Sequence, residues 1–287
     1  MKNIAVVFAC MLFACTSLQV AAVPCSVTAS QTTYDLPIVM YHSVLKSRQS
    51  KYVVSPTQLE SDFAAYQKMG YTPVFLRDVV DFVDGHGKLP AKPMVITFDD
   101  GHYNNMHYVL PIAQKFNFKI VINPVTSFGI ASEEKSEAGN PAYSYLTLSQ
   151  IAELEKSGLV EIGNHTHAMH KFNPRYGVKQ KSGESHEDYV AALKDDIGKA
   201  QDLMASNGTT RPTTFAYPFG AYTDTARNTL LDMGFRAFLT CNEGVSRVTL
   251  GDPTSLHSLK RYNRSGNTDT EAFVKKVFWK LGEDTPK

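Results

Sequence analysis

An apolar run that ends on two adjacent carboxylates constrains this 287-residue chain more than any other feature. The run, MVITFDDG at residues 94–101, is rich in β-branched and aromatic residues, which favour a buried strand. Gly101 permits a sharp turn, so Asp99 and Asp100 should lie at the strand's carboxyl end, where α/β folds place active sites. Because neighbouring carboxylates repel each other, the pair indicates a metal site or an acid–base pair, with a solvated Asp-Gly turn as the plainer alternative.

The first 22 residues have the pattern of a secretory signal peptide. Lys2 precedes an apolar run at residues 4–14, and small residues end the segment at Ala22. The run is too short to span a bilayer, which needs about 20 apolar residues. We therefore expect residues 1–22 to be cleaved and the chain to be exported: secreted, periplasmic or associated with the cell envelope. A lipobox-like LFAC ending at Cys15 makes lipid tethering the second alternative.

The rest of the chain, residues 23–287, is long enough for one α/β domain with its own core. It contains no further segment of transmembrane length, and we expect a monomer. The formal net charge of +1 does not indicate nucleic acid or an anionic membrane as a partner. Cys25 and Cys241 are the two cysteines left after cleavage, and an oxidising compartment would permit them to pair without requiring it.

Strand-like and helix-like patterns alternate along this domain, which predicts parallel βαβ units and the α/β class. The predicted strands lie at residues 36–41, 72–75, 94–99, 119–124, 159–162, 213–217 and 236–240. The predicted helices lie at residues 56–68, 76–83, 109–116, 147–158, 186–205, 224–233 and 269–281. No Gly-rich phosphate loop and no Gly-x-Ser-x-Gly elbow occur, so a nucleotide-binding protein and a serine hydrolase are disfavoured.

Three strand ends supply side chains of the kind that binds divalent metals. His42 follows the first strand, Asp99 and Asp100 end the central one, and NHTHAMH at residues 164–170 follows another. Imidazole and carboxylate together suit zinc and other first-row divalent ions. The pattern favours a metal site over the alternative that these are ordinary surface loop residues.

Spacing does not fix which histidines of this segment would bind. His165 and His170 are five residues apart, so on a helix they would point about 140° apart and could share a metal only from a loop. His165 and His167 could instead converge from an extended segment. Both pairs stay open on spacing alone.

Three short motifs resemble, in order, the leading motifs of the polysaccharide deacetylases with a NodB homology domain. They are TFDDG at residues 97–101, a His-Thr pair at residues 165–166 and FAYPFG at residues 215–220, with MYH at residues 40–42 near the start. The resemblance covers nearly all of residues 23–287 and implies a distorted (β/α) barrel of fewer than eight regular units. It also implies a divalent-metal-dependent N-deacetylase whose partner is an acetylated glycan.

The resemblance assigns roles within the first two motifs. Asp99 matches the family's catalytic base, Asp100 its metal-ligating aspartate and His165 its first metal histidine. The implied metal is zinc, with cobalt or nickel as alternatives. Such an ion lowers the pKa of its water to about 7, and Asp99 could then take the proton of that water.

The second metal histidine departs from the usual family spacing. The family places it four residues after the first, where this chain has Met169. His170 comes one residue later, as in the branch that deacetylates poly-N-acetylglucosamine, which the YPFG segment also resembles. The resemblance therefore favours His170, with His167 as the alternative.

Two further departures concern the base and the proton donor. Ala216 replaces the arginine that the family places in the third motif to orient the base, and Arg261 is expected to take that role from another strand end. The late motif that usually carries the general-acid histidine is not cleanly present. His257 and His42 are the candidates for the acid. For each of them the plainer alternative is an ordinary polar loop residue, and for His257 that alternative is favoured.

Residues near the motifs are expected to bind the sugar. The candidates are Tyr103, Tyr217, Pro218, Phe219 and Gly220, with Tyr262 as a further stacking wall. Backbone N–H groups near Tyr217 would help to stabilise an oxyanion.

The leading functional hypothesis is an exported hydrolase that removes N-acetyl groups from glycan containing N-acetylglucosamine: peptidoglycan, poly-N-acetylglucosamine or a chitin-like polymer. An esterase acting on O-acetylated xylan is an alternative that would use the same kind of site. The third hypothesis is a glycan-binding protein that keeps the barrel but has lost turnover, because Ala216 replaces the arginine and the acid motif is missing.

Overall fold

Short strands and α-helices alternate along residues 32–282, the part of the chain that the structure, a computed structural model, describes. The strands are β1 (Thr33–Leu36), β2 (Ile38–Tyr41), β3 (Ser43–Val44), β4 (Val53–Val54), β5 (Thr72–Pro73), β6 (Pro93–Asp100), β7 (Ile120–Pro124), β8 (Val160–Ile162), β9 (Thr214–Ala216), β10 (Ala237–Leu239), β11 (Ser246–Thr249) and β12 (Tyr262–Asn263). The helices are α1 (Pro56–Lys68), α2 (Leu76–Val83), α3 (Leu110–Phe116), α4 (Thr126–Glu134), α5 (Leu148–Lys156), α6 (His186–Ser206), α7 (Asp224–Asp232) and α8 (Thr270–Phe278). A π-helical turn (Asn105–Val109) precedes α3, and 3₁₀ turns lie at Pro218–Gly220, Pro253–Leu256 and Trp279–Leu281.

A parallel sheet of six strands positions the functional side chains. Its main path is β12-β2-β6-β7-β8, and β5 also pairs with β6. Because all of these pairings are parallel, the carboxyl ends of the strands meet at one edge of the sheet. The strand ends that carry the predicted metal ligands are gathered at that edge.

A second parallel pair, β9 and β10, continues this sheet into an irregular barrel. Single bridges join Asn164, just after β8, to Phe215 on β9, and Leu239 on β10 to Leu259, which precedes β12. The strands therefore follow one another around a ring in which regular pairing is interrupted at two places. The predicted α/β class and distorted (β/α) barrel are confirmed, in an open form.

The interior of this ring is packed with side chains. The strands β2, β6 and β7 are buried almost throughout, as expected for parallel strands covered on both faces. Alternate residues contact different layers. One set packs inward with the apolar residues of β9 and β10: Ile38, Val95 and Val121. The other set packs against the outer helices α1 and α8: Val39, Ile96 and Ile122.

Two predicted helices begin at reciprocal capping boxes. Ser55 accepts a hydrogen bond from the backbone N–H of Gln58, whose side chain accepts one from the N–H of Ser55. Thr147 and Gln150 make the same pair of bonds at the start of α5. These local signals explain why the predicted starts of both helices agree with the structure.

The sequence analysis missed β1, β3, β4, β11, β12 and α4. The five strands have at most four residues each, too few for a periodic pattern to emerge. Helix α4 contains Gly129, which lowers its helix propensity. Only glycine fits there, because a Cβ would lie 2.0 Å from the carbonyl oxygen of Leu146.

Several predictions concern residues that the structure does not describe. The signal peptide, the lipobox-like Cys15 and the pairing of Cys25 with Cys241 all involve positions before residue 32 and stay predictions. Cys241 forms no disulfide with another described residue. No helix between residues 32 and 282 combines the length and apolarity needed to cross a membrane.

A buried carboxyl group on β8 makes the stability of the fold depend on pH. Glu161 is only 5% exposed, and it accepts a hydrogen bond of 3.1 Å from the backbone N–H of Arg77. Burial raises the pKa of Glu161 from 4.5 to about 7. Because the folded chain binds this proton more tightly, the group stabilises the fold fully below about pH 4.5, and that contribution is lost as the pH rises through about 7.

Glu161→Gln should remove this pH dependence. At pH 8 we expect the variant to be more stable than the parent chain by up to roughly 3 kcal/mol, because it no longer buries a charge. At about pH 4.5 the two should be nearly equal. Chemical denaturation at both pH values measures the difference, with Glu153→Gln, an exposed change on α5, as the control. Equal stabilities at pH 8 would contradict the expectation.

Candidate metal centre

A cavity of about 900 Å³ lies at the carboxyl edge of the sheet. Its lining includes side chains from three strand ends: His42 after β2, Asp99 and Asp100 on β6, and His165 and His170 after β8. The structure therefore brings together the three strand ends that the sequence analysis singled out.

Asp100, His165 and His170 form a cluster of metal-binding type. Asp100 Oδ1 lies 3.7 Å from His165 Nε2 and 3.4 Å from His170 Nε2. One donor atom from each of the three residues lies within 4.8 Å of the other two. Ligand atoms bound about 2.0–2.1 Å from a tetrahedral zinc ion are about 3.4 Å apart, so this spacing fits one divalent ion.

The hydrogen bonding of Asp100 supports the same fit. Its Oδ1 atom is buried and has no hydrogen-bond partner within residues 32–282. Burial raises the pKa of Asp100, but the nearby histidines, His102 first, outweigh it and hold the pKa well below its usual range. A buried, unpaired carboxylate oxygen is costly unless a cation satisfies it.

His165 is held in the form that a metal ligand requires. Its Nδ1 lies 2.7 Å from the carbonyl oxygen of Ala216, which can only accept, so Nδ1 carries the proton and Nε2 has a free lone pair. Burial lowers the pKa of His165 to about 4, so the ring is neutral at neutral pH. The residue that replaced the family's arginine thus still orients a ligand through its backbone.

Unusual backbone geometry flanks the cluster. Asp100 has a φ of 72° and Thr166, next to His165, has a φ of 80°. Positive φ is uncommon for non-glycine residues and is a true outlier for a β-branched one. Such strain concentrates at functional sites, where the surrounding structure holds it.

His167 and His170 differ in what they contact. The Nδ1 atom of His167 is 2.9 Å from Thr126 Oγ1, and its backbone N–H donates to Asp196. His167 does not line the cavity, whereas His170 does. The structure therefore groups His170, rather than His167, with Asp100.

Asp99 is fixed by a buried arginine. Arg261 donates to both carboxylate oxygens at 2.8 Å, and Asn123 donates to Oδ1 at 2.8 Å. Both members of the ion pair are nearly inaccessible to solvent. Burial raises the pKa of Asp99, but Arg261 outweighs it and brings the pKa to about 2, so Asp99 is ionised. Arg261 comes from a different strand end than Asp99, as the sequence analysis expected.

The two candidates for the general acid lie in different places. His42 lines the cavity, and its buried Nδ1 has no hydrogen-bond partner among the described residues. His257 follows the 3₁₀ turn Pro253–Leu256 and packs 5.9 Å from the ring of Phe238, outside the cavity lining. The assignment of His257 to the site is therefore corrected, because this residue packs on Phe238 and is not among the residues that line the cavity.

Most of the predicted sugar-binding residues also require correction. Phe219 lines the cavity, but Tyr103, Tyr217, Pro218, Gly220 and Tyr262 do not. Tyr217 is fully buried and stacks on Tyr222 at 4.7 Å. Gly220 has a φ of 68°, and a Cβ there would lie 2.6 Å from the backbone nitrogen of Cys241, so its role is to permit close packing.

The sequence analysis missed one histidine at the centre. His102 Nε2 lies 3.5 Å from Asp100 Oδ2, and its ring stacks on Tyr145 at 4.8 Å. Its position two residues after Asp100 was a signal that could have placed it here. Asn123, at the end of the neighbouring strand β7, was missed as well.

Comparison with known proteins identifies the family. A sequence model described as polysaccharide deacetylase matches residues 86–238, more than half of the chain. The chain belongs to the polysaccharide deacetylase family. The family resemblance seen in the motifs is thereby confirmed.

Curated relatives from this family share a name. The chain is 26% identical over 248 residues to the poly-beta-1,6-N-acetyl-D-glucosamine N-deacetylase of Escherichia coli K12, with 78% of this chain and 35% of the relative covered. The protein of the same name from Staphylococcus aureus MRSA252 is 23% identical over 222 residues, with 74% and 72% covered. The chain thus spans only about a third of the E. coli relative.

Solved structures of polysaccharide deacetylases share the fold. A de-N-acetylase from Aggregatibacter actinomycetemcomitans has a TM-score of 0.72 at 24% identity, covering 85% of this chain and 100% of that one. IcaB from Ammonifex degensii has a TM-score of 0.68 at 21% identity, covering 87% and 97%. At these identities the likeness concerns the fold alone.

Proposed function

We propose that this chain is a divalent-metal-dependent hydrolase that removes N-acetyl groups from glycan containing N-acetylglucosamine. The observation that carries the proposal is the Asp100, His165 and His170 cluster beside an Asp99 held by Arg261. The activity named for the curated relatives, N-deacetylation of poly-β-1,6-N-acetyl-D-glucosamine, supports this choice of substrate class. The predicted signal peptide supports export.

Asp100, His165 and His170 would hold the metal. Two imidazole nitrogens and one carboxylate oxygen suit zinc first, with cobalt or nickel as alternatives. When bound, such an ion supplies Lewis-acid chemistry, lowering the pKa of water and polarising an amide carbonyl. Three protein ligands leave room in the coordination sphere for substrate.

Asp99 would act as the general base. It is ionised and lines the same cavity as the ligand cluster. Arg261 and Asn123 fix its position, so Asp99 can accept the proton of the attacking water without reorganising. Arg261 is therefore a positioning residue.

His42 would donate the proton to the departing amine. Its ring lines the cavity and its Nδ1 has no partner within the described range. Amide hydrolysis requires protonation of the leaving nitrogen, and imidazole is the side chain best suited to this step near neutral pH.

The alternatives differ in how well this geometry supports them. O-acetyl ester hydrolysis would use the same residues, so only substrate tests separate it from N-deacetylation. The hypothesis of a glycan-binding protein that has lost turnover rested on Ala216, which replaces the family's arginine, and on the missing acid motif. Arg261 supplies two N–H donors to Asp99 from another strand end, which favours a competent enzyme.

Acetate release across a substrate panel tests the proposal. We expect release from β-1,6-linked N-acetylglucosamine oligomers, loss of that release after a chelator removes metal, and recovery with zinc, cobalt or nickel. Chitin oligomers, peptidoglycan and acetylxylan complete the panel. Stoichiometric metal binding without acetate release from any N- or O-acetylated substrate would overturn both enzyme hypotheses.

A further inference from the structure

Most of the strongly exposed aromatic side chains between residues 32 and 282 are concentrated at one place. Six large hydrophobic side chains are strongly exposed among the described residues: Tyr52, Tyr143, Phe172, Tyr176, Leu250 and Trp279. Four of them, all except Leu250 and Trp279, line the cavity of the metal centre. Clustered exposed apolar surface of this kind marks a binding site.

Two of these rings continue an aromatic surface that reaches the ligand cluster. Phe172 and Tyr176 stack nearly parallel to Phe219, with centroids 4.3 and 5.1 Å away and ring planes within 20°. The ring of Phe219 in turn lies 4.5 Å from that of His170. An extended ligand bound at the metal would therefore pass from His170 over Phe219 to Phe172 and Tyr176 along the cavity wall.

The loop that carries these rings is held in place although the rings are exposed. Phe172 is 64% exposed and Tyr176 42%, whereas Arg175 between them is only 8% exposed. Arg175 donates to both carboxylate oxygens of Glu184 and to the carbonyl oxygen of Lys179. The charged side chain thus faces inward, whereas much of each aromatic ring stays exposed to solvent, an inverted arrangement that costs stability unless a ligand covers the rings.

A second aromatic wall stands on the side of His42. The ring of Tyr52 lies 4.8 Å from that of His42 and is 46% exposed. Polar side chains that line the same cavity include Arg48, Glu243 and Asn263. Ring faces beside hydrogen-bonding groups, in a concave site, suit a ligand with apolar faces and polar edges, and a pyranose ring has this character.

We propose that Phe172 and Tyr176 form a sugar-stacking subsite for the residue next to the one bound at the metal. The ligand is a β-linked oligosaccharide of N-acetylglucosamine, an identity that rests on the proposed function. The subsite makes the protein select oligomers over the monosaccharide, because a single sugar bound at the metal would leave the subsite empty.

Binding of defined sugars to a chain that does not turn over tests this subsite. We would titrate a β-1,6-linked N-acetylglucosamine pentasaccharide and the monosaccharide into zinc-loaded Asp99→Asn protein, and repeat the titration with metal-stripped wild-type protein. Phe172→Ala and Tyr176→Ala should each weaken pentasaccharide binding about tenfold. Affinity for the monosaccharide, zinc affinity and the unfolding midpoint should stay unchanged. Trp279→Ala, which removes an equally exposed aromatic ring outside the cavity, is the matched control.

Each outcome decides one of the two proposals. Pentasaccharide binding by both loop variants at wild-type affinity would overturn the subsite, and so would a parent protein that does not bind the pentasaccharide at all. If the loop variants lost affinity for the monosaccharide as well as for the pentasaccharide, the subsite would also be overturned, because such a result would indicate general damage to the cavity. Intact, ring-dependent binding, together with no acetate release from the same pentasaccharide by the zinc-loaded wild-type protein, would support the subsite and overturn the enzymatic proposal alone.

Discussion

Asp100→Ala should abolish metal binding, whereas Asp99→Asn should keep the metal and stop turnover. The two carboxylates are neighbours in sequence, but they face different groups. Asp100 Oδ1 faces two imidazole nitrogens and has no hydrogen-bond partner among the described residues, whereas both oxygens of Asp99 accept from Arg261. One is therefore arranged as a ligand and the other as a base.

The expected magnitudes separate the two roles. Removing a base should lower kcat by about 100- to 10,000-fold. Removing a ligand should weaken zinc binding by more than the roughly 10- to 100-fold that follows loss of an outer-shell partner. Calorimetric zinc titration and acetate release, measured on the same preparations, check both. The unfolding midpoint of Asp99→Asn is recorded alongside, because Arg261 loses a charged partner in that variant.

His167→Ala is the matched control for this pair. His167 lies three residues from His170 in sequence but bonds to Thr126 instead of facing the ligand cluster. The His167→Ala variant should bind zinc with the affinity of the parent protein. Loss of zinc in His167→Ala with retention in His170→Ala would show that the ligand assignment is wrong, and loss of zinc in Asp99→Asn would remove the proposed division of roles.

Arg264→Met should lower the free energy of unfolding by about 3–5 kcal/mol, the cost of leaving a buried charge without its partner. Arg264 donates to both oxygens of Asp62 at 2.7 and 3.0 Å, and the side chains of both residues are fully buried. Tyr41 and Thr270 also donate to Asp62, so four donors from different parts of the chain converge on one carboxylate. This cluster joins α1 to the start of α8.

The double variant distinguishes an unpaired charge from lost packing. Asp62→Leu together with Arg264→Met should recover most of the loss, because buried ion pairs are often replaceable by apolar residues. Arg247→Met removes one member of an exposed pair with Asp35 and should change stability little. Denaturant unfolding measures all three variants. A double variant as unstable as Arg264→Met would contradict the explanation by charge.

The sequence was most informative where the signal is local. The central strand ending on Asp99 and Asp100 is read from eight consecutive residues, and its place at the carboxyl edge follows from the alternation of strand and helix. The predicted starts of α1 and α5 agree with the structure to within one residue, and each helix begins at a capping box, a signal that needs only residues three apart. The elements that were not predicted are short, as β12 is, or contain glycine, as α4 does.

The site was predicted in its residue types but only in part in its geometry. Spacing did not decide whether His167 or His170 is the second histidine ligand, because the path of the loop after β8 depends on contacts with Thr126 and Asp196. His257 does not line the cavity, and no local pattern could show this, because it depends on how the segment between β11 and β12 packs. Tyr217 was a candidate for sugar binding, whereas packing against Tyr222 buries it.

The sequence by itself therefore determined the class of the fold, the family and the adjacent carboxylates at the end of the central strand. Only the tertiary structure decided what each carboxylate faces. Asp99 and Arg261 are 162 residues apart, and the register of strands between them brings the guanidinium to that carboxylate. Secondary structure follows from hydrogen bonds and side-chain patterns within a few residues, but the convergence of strand ends depends on the packing of the whole ring.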